Sequence, residues 1–358
     1  MKMKKKTTIL TKMIAFLLVI GTIISIQSPV VMADETPSSA TGFTYGLTFP
    51  DSQVQDDLGY YHLTLSSGQK EELVITLNNP STESIEVEVG LNGAKTNQNG
   101  VIEYGDTDID NDPSLKVPFE DVVNSPDSIT LAAGETKQLT IEVTMPEEPV
   151  EGLIAGGIQL MRKDQGSEAE TEGSMVINQY AYVIAVLLQE QPVTILPDLA
   201  LNKVFADQSN YRNTVFIDFS NVEANYLNDM TVETKIRAKG QEAILFERVK
   251  SDMRMAPNSF IQFPVSMNGE PMVPGLYSAH TIVTSGEQRW EWDEDFEITA
   301  ENAKLFNERD VELVQEDGRN WWLLVLILLV ILFLGFGAYI LWKKRNEQAE
   351  ETEEHQEK

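Results

Sequence analysis

Apolar residues recur at every second position through most of this chain. The pattern is plain in Tyr61-x-Leu63-x-Leu65, Leu73-x-Ile75-x-Leu77 and Ile85-x-Val87-x-Val89-x-Leu91. It returns in Leu139-x-Ile141-x-Val143-x-Met145, Val215-x-Ile217-x-Phe219 and Val232-x-Thr234-x-Ile236. Successive side chains of a strand point to opposite faces, so this alternation predicts half-buried strands. Turn-forming clusters separate the runs: Asn78-Asn79-Pro80, Asn97-Gln98-Asn99-Gly100, Ala133-Gly134, Pro274-Gly275 and Ser285-Gly286. Short strands punctuated this way predict an all-β region built as two tandem, immunoglobulin-like antiparallel β-sandwiches.

Two segments share one template. Leu65-Ser66-Ser67-Gly68 leads to Leu73, Ile75 and Leu77, and Leu131-Ala132-Ala133-Gly134 leads to Leu139, Ile141 and Val143. Each reads as a strand end, a glycine corner with positive φ, and a return strand. Two similar corners within one sandwich are expected, since the likeness ends there and no repeat array follows.

Residues 162–173 are polar, whereas Met175–Leu188 is a long apolar run that needs both faces covered. We expect that run to pair with Leu153–Met161 as a hairpin, with 162–174 as its exposed loop. Prolines between Gln191 and Pro197 then mark the boundary. The first sandwich is residues 43–190 and the second 197–300, with seven strands from Leu199 to Ile298. Residues 301–320 read as a short, partly helical stalk, on which Ala303, Phe306, Asp310 and Val314 imperfectly share a face.

The ends follow other rules. Residues 321–342 carry no charge and as a helix would span about 33 Å, enough for a bilayer core. Trp321, Trp322 and Trp342 stand where ring systems favour the headgroup layer. Lys343, Lys344 and Arg345 follow at once, which places the tail, 343–358, in the cytoplasm. Its Glu-rich part, 346–358, reads as disordered. Residues 1–33 read as a cleaved secretory signal, with Lys2, Lys4, Lys5, Lys6 and Lys12, an apolar stretch from Met13 to Ile26, and cleavage after Ala33. The expected product is a single-pass membrane protein whose body lies outside, at the cell wall. No Leu-Pro-x-Thr-Gly motif precedes the span, so covalent attachment to the wall is not expected.

Composition narrows the chemistry. The 358 residues include no Cys and three His. Disulfides, thiol nucleophiles and Cys-type zinc sites are thereby excluded. Between Asp34 and Trp342, 18 basic residues face 50 acidic ones, a net of −32. Such a body repels nucleic acid. His62 and His280 fall in strands and His355 in the tail, so no Ser-His-Asp arrangement is visible.

Three groups merit attention as sites. Asp106, Asp108 and Asp110 alternate as in calcium loops, but Asn111 and Val117 replace the glycine and the bidentate glutamate such a loop needs. The segment reads as a solvated acidic loop, and no metal or cofactor is expected. Glu291, Asp293, Asp295 and Glu297 share one face of a strand whose other face carries Trp290, Trp292, Phe296 and Ile298. They form a candidate acidic edge for a basic partner. Tyr60, Tyr61 and Tyr104, with Phe119, are candidates for stacking on wall glycan. The stretch from Gly105 to Ser128, with Pro113, Pro118 and Pro126, reads as a surface loop.

One family resemblance gathers these features. Gly59-Tyr60-Tyr61-x-Leu63, Gly68-Gln69, Asn78-Asn79, Thr96-Asn97-x-Asn99-Gly100-x-Ile102-x-Tyr104, Met145-Pro146 and Gly152-x3-Gly156-Gly157-Ile158 resemble the first domain of the WxL-interacting surface proteins of Gram-positive bacteria. Asn178-Gln179-Tyr180-Ala181-Tyr182, Pro257-Asn258-Ser259, Pro274-Gly275-x-Tyr277 and Arg289-Trp290-x-Trp292-x3-Phe296-x-Ile298 resemble the second. The resemblance covers about residues 43–300, with a family-style boundary near 163. It implies a peptidoglycan-binding domain followed by a host-binding domain, and partnership with secreted WxL-domain proteins or host extracellular matrix. The expected role is a non-enzymatic adhesion scaffold. The competing reading is a wall glycan hydrolase that uses a carboxylate pair.

Overall fold

The computed structural model describes residues 41–55, 57–165, 179–313 and 321–354. The signal segment with Ala33, Val314 and most of the 162–174 loop lie outside those residues. The described chain is mostly β-sheet with few helices.

The first unit contains β1 (Thr44–Thr48), β2 (Tyr61–Thr64), β3 (Lys70–Asn78), β4 (Ile85–Gly93), β5 (Lys95–Thr96) and β6 (Ile102–Glu103). A single helical turn, α1 (Phe119–Val122), precedes β7 (Val123–Asn124), β8 (Ser128–Leu131), β9 (Thr136–Thr144), β10 (Ile154–Arg162) and β11 (Ala181–Gln189). One sheet runs β1-β3-β9-β7 and the other β2-β11-β10-β4-β8. Their inward residues make one core that includes Leu63, Leu73, Ile75, Val87, Ile141, Ile158 and Val186. Each such aliphatic side chain, fully buried, stabilises the fold by about 1.5–3 kcal/mol.

The two segments with a shared template are neighbours. β3 and β9 pair antiparallel, with Leu73 opposite Ile141 and Ile75 opposite Leu139. Gly68 and Gly134 hold φ of 69° and 68°, a conformation that glycine adopts without penalty. The apolar run from Met175 onward supplies β11, which pairs antiparallel with β10 and parallel with β2.

The second unit contains β12 (Leu199–Ser209), β13 (Arg212–Asn221), β14 (Leu227–Ala238), β15 (Ile244–Met255), β16 (Ser259–Ser266), β17 (Gly275–Ser285) and β18 (Gln288–Ile298). Sheets β12-β13-β16 and β15-β14-β17-β18 share a core around Ile217, Phe219, Val232, Ile236, Phe263 and Val283. Pro264 interrupts hydrogen bonding on β16, which is an edge strand where that costs little.

The first part of the expected stalk packs on the second unit, and 314–320 lie outside the described residues. Helix α2 (Ala300–Arg309) starts at Thr299, whose Oγ1 accepts the Asn302 N–H at 3.1 Å. Ala303 is buried, and Phe306 packs on the second core. Asp310 is 2% exposed and accepts the Asn213 N–H at 2.7 Å, so residues 300–313 are fastened to the unit. A carboxylate anchoring backbone N–H groups carries no periodic apolar signal, hence the discrepancy.

The two units meet through the 94–118 segment, and the Gly105–Ser128 stretch expected as a surface loop is exposed at Asp106, Asp108 and Asp110 but anchored at Asp112. Thr96 Oγ1 and Ser259 Oγ lie 2.7 Å apart, and Ala256 N–H donates to Thr96 Oγ1 at 2.9 Å. Arg254 N–H donates to the Gly100 carbonyl and Leu153 N–H to that of Ala224, both at 2.8 Å. Asp112, 4% exposed, accepts the Ser220 hydroxyl. Phe119, within Gly105–Ser128, is a core residue.

Helix α3 (Trp321–Glu354) carries a segment, Val325–Lys343, long and apolar enough by length and composition to cross a membrane. The helix continues past Trp342 into the tail that composition marks as disordered. Ala, Gln, Lys and Glu are good helix formers, and an existing helix extends through them at little cost.

Candidate functional site

Strand alternation fixes which residues of the first unit face outward. On β4, Val87 and Val89 turn toward the core, which leaves Glu86, Glu88, Gly90 and Asn92 on the other face. On β10, Ile158 and Leu160 turn inward, leaving Gln159 and Met161 outward beside Gly90 and Glu88. Gly90 offers no side chain, and a groove of about 430 Å³ opens over it. Glu86, Glu88, Asp106, Asp127, Gln159 and Lys163 are among its lining residues.

The groove mixes polar side chains with the apolar Val89, Leu91 and Met161, and it is partly preset. Gln159 Oε1 accepts the Asp106 N–H at 2.9 Å, which fixes the amide. Glu86 accepts from the Ser128 hydroxyl at 2.8 Å and from Lys163 at 3.1 Å. Those hydrogen bonds hold its carboxyl below the usual carboxylate range. Asn92 Nδ2 is buried and has no hydrogen-bond partner among the described residues. A buried donor left unpaired is costly, and a ligand oxygen would satisfy it if the Asn92 side chain turned into the groove it lines. A row of carboxylates, amides and one lysine matches a hydroxyl- and amide-rich polymer.

The glycan-stacking candidates fare differently. Tyr61 is fully buried, and its hydroxyl donates to the Val74 carbonyl at 2.9 Å. Burial raises its phenol to about 12. Tyr61 is therefore a core residue, and its outward expectation is corrected. Tyr104 shares a 3.0 Å hydrogen bond with Tyr226 of the second unit, and burial raises both phenols. It belongs to the seam between units. Tyr60 lies partly exposed near that pair. None of the three lines the groove.

The Gly156-Gly157 pair explains how these parts fit. A Cβ on Gly156 would stand 2.2 Å from the Phe119 ring, on the core side. A Cβ on Gly157 would stand 2.3 Å from the Tyr104 carbonyl oxygen, on the opposite side. The two glycines let β10 receive a ring on one face and a backbone on the other.

On the second unit, β14, β17 and β18 place outward residues in register. Glu233, Ile282 and Glu291 form one row, Lys235, His280 and Asp293 the next, and Arg237, Ser278 and Asp295 the third. The face is charged in both senses and is not simply acidic. His280 Nδ1 lies 2.9 Å from Asp293, and Lys239 lies 2.7 Å from Asp295. Arg289 pairs with Glu291. Lys239 and Ser278 hold the Asp295 carboxyl below its ordinary value. Glu297 is exposed next to the core residues Phe296 and Ile298. The cations come from β14 and its following turn and from β18 itself, so the pattern of β18 acids alone does not reveal the neutralisation.

Asp106, Asp108 and Asp110 are exposed and do not converge, and among the described residues no group of three His, Cys, Asp or Glu is placed to hold a metal. Trp342 and Lys343 are exposed on α3, whereas the side chains of Trp321, Trp322, Lys344 and Arg345 lie outside the described residues.

Comparison with known families adds a description to each unit. Residues 43–162 match the peptidoglycan binding domain of WxL Interacting Protein, and residues 171–308 match the host binding domain of the same protein. A search of curated proteins gave no match. Solved structures with some likeness include the E. coli chaperone DraB, 12% identical, covering 72% of this chain and 98% of its own, with a TM-score of 0.25. The Pseudomonas aeruginosa CupB2 chaperone is 13% identical and covers 62% of this chain and 91% of its own, with a TM-score of 0.24. PapD-like domain 7 of human CEP192 is 14% identical and covers 46% of this chain and 95% of its own, with a TM-score of 0.25.

Proposed function

This chain belongs to the WxL-interacting protein family and has a cell-surface binding role, and from that premise we propose how its parts divide the work. The first unit, residues 43–190, holds peptidoglycan in the groove over Gly90. The second, residues 197–300, engages WxL-domain proteins or host matrix through the mixed-charge face of β14, β17 and β18. Both are immunoglobulin-like sandwiches. Residues 1–33 are a signal peptide removed after Ala33. Helix α3 spans the membrane over 321–342, with Lys343, Lys344 and Arg345 on the cytoplasmic side.

The observation that carries this reading is the open groove, with the unpaired Asn92 donor, inside the segment that matches the peptidoglycan-binding family. Wall glycan and its stem peptides offer hydroxyl, carbonyl and amine groups that pair with Asn92, Gln159 and the carboxylates. The role is holding, without bond cleavage. Co-sedimentation of the full-length protein with purified wall tests it. Retention of intact wall, weakened when Gly90 is enlarged, is the expected result. Release of soluble fragments would instead establish the hydrolase. Failure to sediment would remove the groove assignment.

A further inference from the structure

Lys95 and Asn111 lie against one another at the base of the 94–118 segment, Lys95 Nζ touching the side-chain carbonyl oxygen of Asn111. Three carboxylates, Glu120, Asp110 and Asp112, act on the lysine, Glu120 most strongly. Glu120 is itself fixed, accepting the Gly93 N–H at 2.5 Å. An amine, a carboxamide and a positioned carboxylate are the components of an amide transfer.

We propose that Lys95 and Asn111 form an intramolecular amide cross-link. The uncharged Lys95 amine attacks Cγ of Asn111. The Nζ–Cγ bond forms, the Cγ–Nδ2 bond breaks, and ammonia leaves. Glu120 takes one proton from Nζ and returns one to Nδ2, so the sum needs no oxidant and no further reactant. Partial burial of Lys95 favours the uncharged amine the step requires: it lowers the ammonium below the ordinary lysine range, against the opposing pull of the three acids.

The location gives the bond a purpose. Lys95 precedes Thr96, which bonds to Ser259 and Ala256 of the second unit. Asn111 precedes Asp112, which receives the Ser220 hydroxyl. The cross-link would close the chain between the two residues that grip the second unit. In a chain without cysteine, this is a way to staple that loop covalently. By shortening the loop available to the unfolded chain, it stabilises the folded seam as a disulfide would.

Peptide mapping of the full-length protein, extracted in detergent and digested, tests the proposal by mass spectrometry. The expected product is one branched peptide carrying Lys95 and Asn111, lighter by one ammonia than its separate parts, and absent from Lys95→Arg and Asn111→Ala. Glu120→Gln should leave Lys95 and Asn111 unlinked while circular dichroism shows the fold retained. Recovery of linear peptides with unmodified Lys95 and Asn111 from the folded wild-type protein would overturn the proposal. Full cross-linking in Glu120→Gln would overturn the role given to Glu120.

Discussion

Thr96 and Ser259 share a hydrogen bond of 2.7 Å with both side chains buried, although they belong to different units. Thr96 also accepts the Ala256 N–H. Replacing Thr96 by Val keeps the shape but leaves the Ala256 N–H without an acceptor, while the Ser259 hydroxyl retains the Ala256 carbonyl. The expected cost is about 1–3 kcal/mol of stability. Urea denaturation read by tryptophan fluorescence measures it, and a midpoint equal to wild type would show the seam to be dispensable.

Gly156→Ala should be more damaging than its single methyl suggests. The new Cβ would stand 2.2 Å from the Phe119 ring, in a core that cannot yield on that side. Overpacking of this kind costs about 1–3 kcal/mol. Pairing it with Phe119→Leu should recover part of the loss, because the smaller side chain vacates that position. A pair with strictly additive losses would contradict the contact.

Tyr61 predicts a specific alkaline instability. Its phenol is raised to about 12 in the folded protein, from an unfolded value of 10.0. The contribution is fully present below the unfolded value and is lost as pH rises through the folded one. Between those limits the unfolded chain gains by releasing a proton that the folded chain retains. The total loss is roughly 2–3 kcal/mol by linkage. Denaturation midpoints across that range should fall for wild type and stay flatter for Tyr61→Phe.

Gly90→Gln should occupy the groove without unfolding the sheet, since a Cβ there meets Asn92 and Gln159 at ordinary distances of 3.5 and 3.6 Å. Wall binding should fall about tenfold or more, and Asn92→Ala should lower it by a smaller factor of roughly three to ten. Unchanged sedimentation of both variants would move the glycan site elsewhere.

Asp293→Asn and Asp295→Asn should leave folding intact, because both residues are exposed at the edge of β18. If the partner reads charge, association should slow several-fold and lose part of its salt dependence. Surface plasmon resonance at two ionic strengths separates this from a change in dissociation. Indifference of both rates would remove β18 from the interface.

What the sequence disclosed was periodic. Leu73, Ile75 and Leu77 announced β3, their counterparts in the second template announced β9, and Gly68 and Gly134 marked equivalent corners. The hairpin of β10 and β11 followed from an apolar run that had to be covered. Residues without a period stayed hidden. Tyr61 is the exception, since its alternation with Leu63 and Leu65 already put it on the inward parity, against its candidacy for glycan stacking. Asp310, Asp112 and Thr96 act through polar contacts to residues far along the chain. The groove required knowing that β4 lies beside β10, and no local pattern states which strands are neighbours.

Strand β11 also sets an order of events. Nascent chains leave the ribosome amino end first, and domains fold as they become complete. Here the edge strand β2 joins its sheet through β11, apart from a short bridge of Leu63 to Gln53, and β11 begins at Ala181, beyond the stretch matched to the peptidoglycan-binding family. The first unit must therefore wait for its last strand, with β2 outside its sheet and one edge of β10 uncovered in the meantime. A recombinant fragment cut at the family boundary would keep that waiting state permanently, and its solubility should improve when the cut is moved to residue 190.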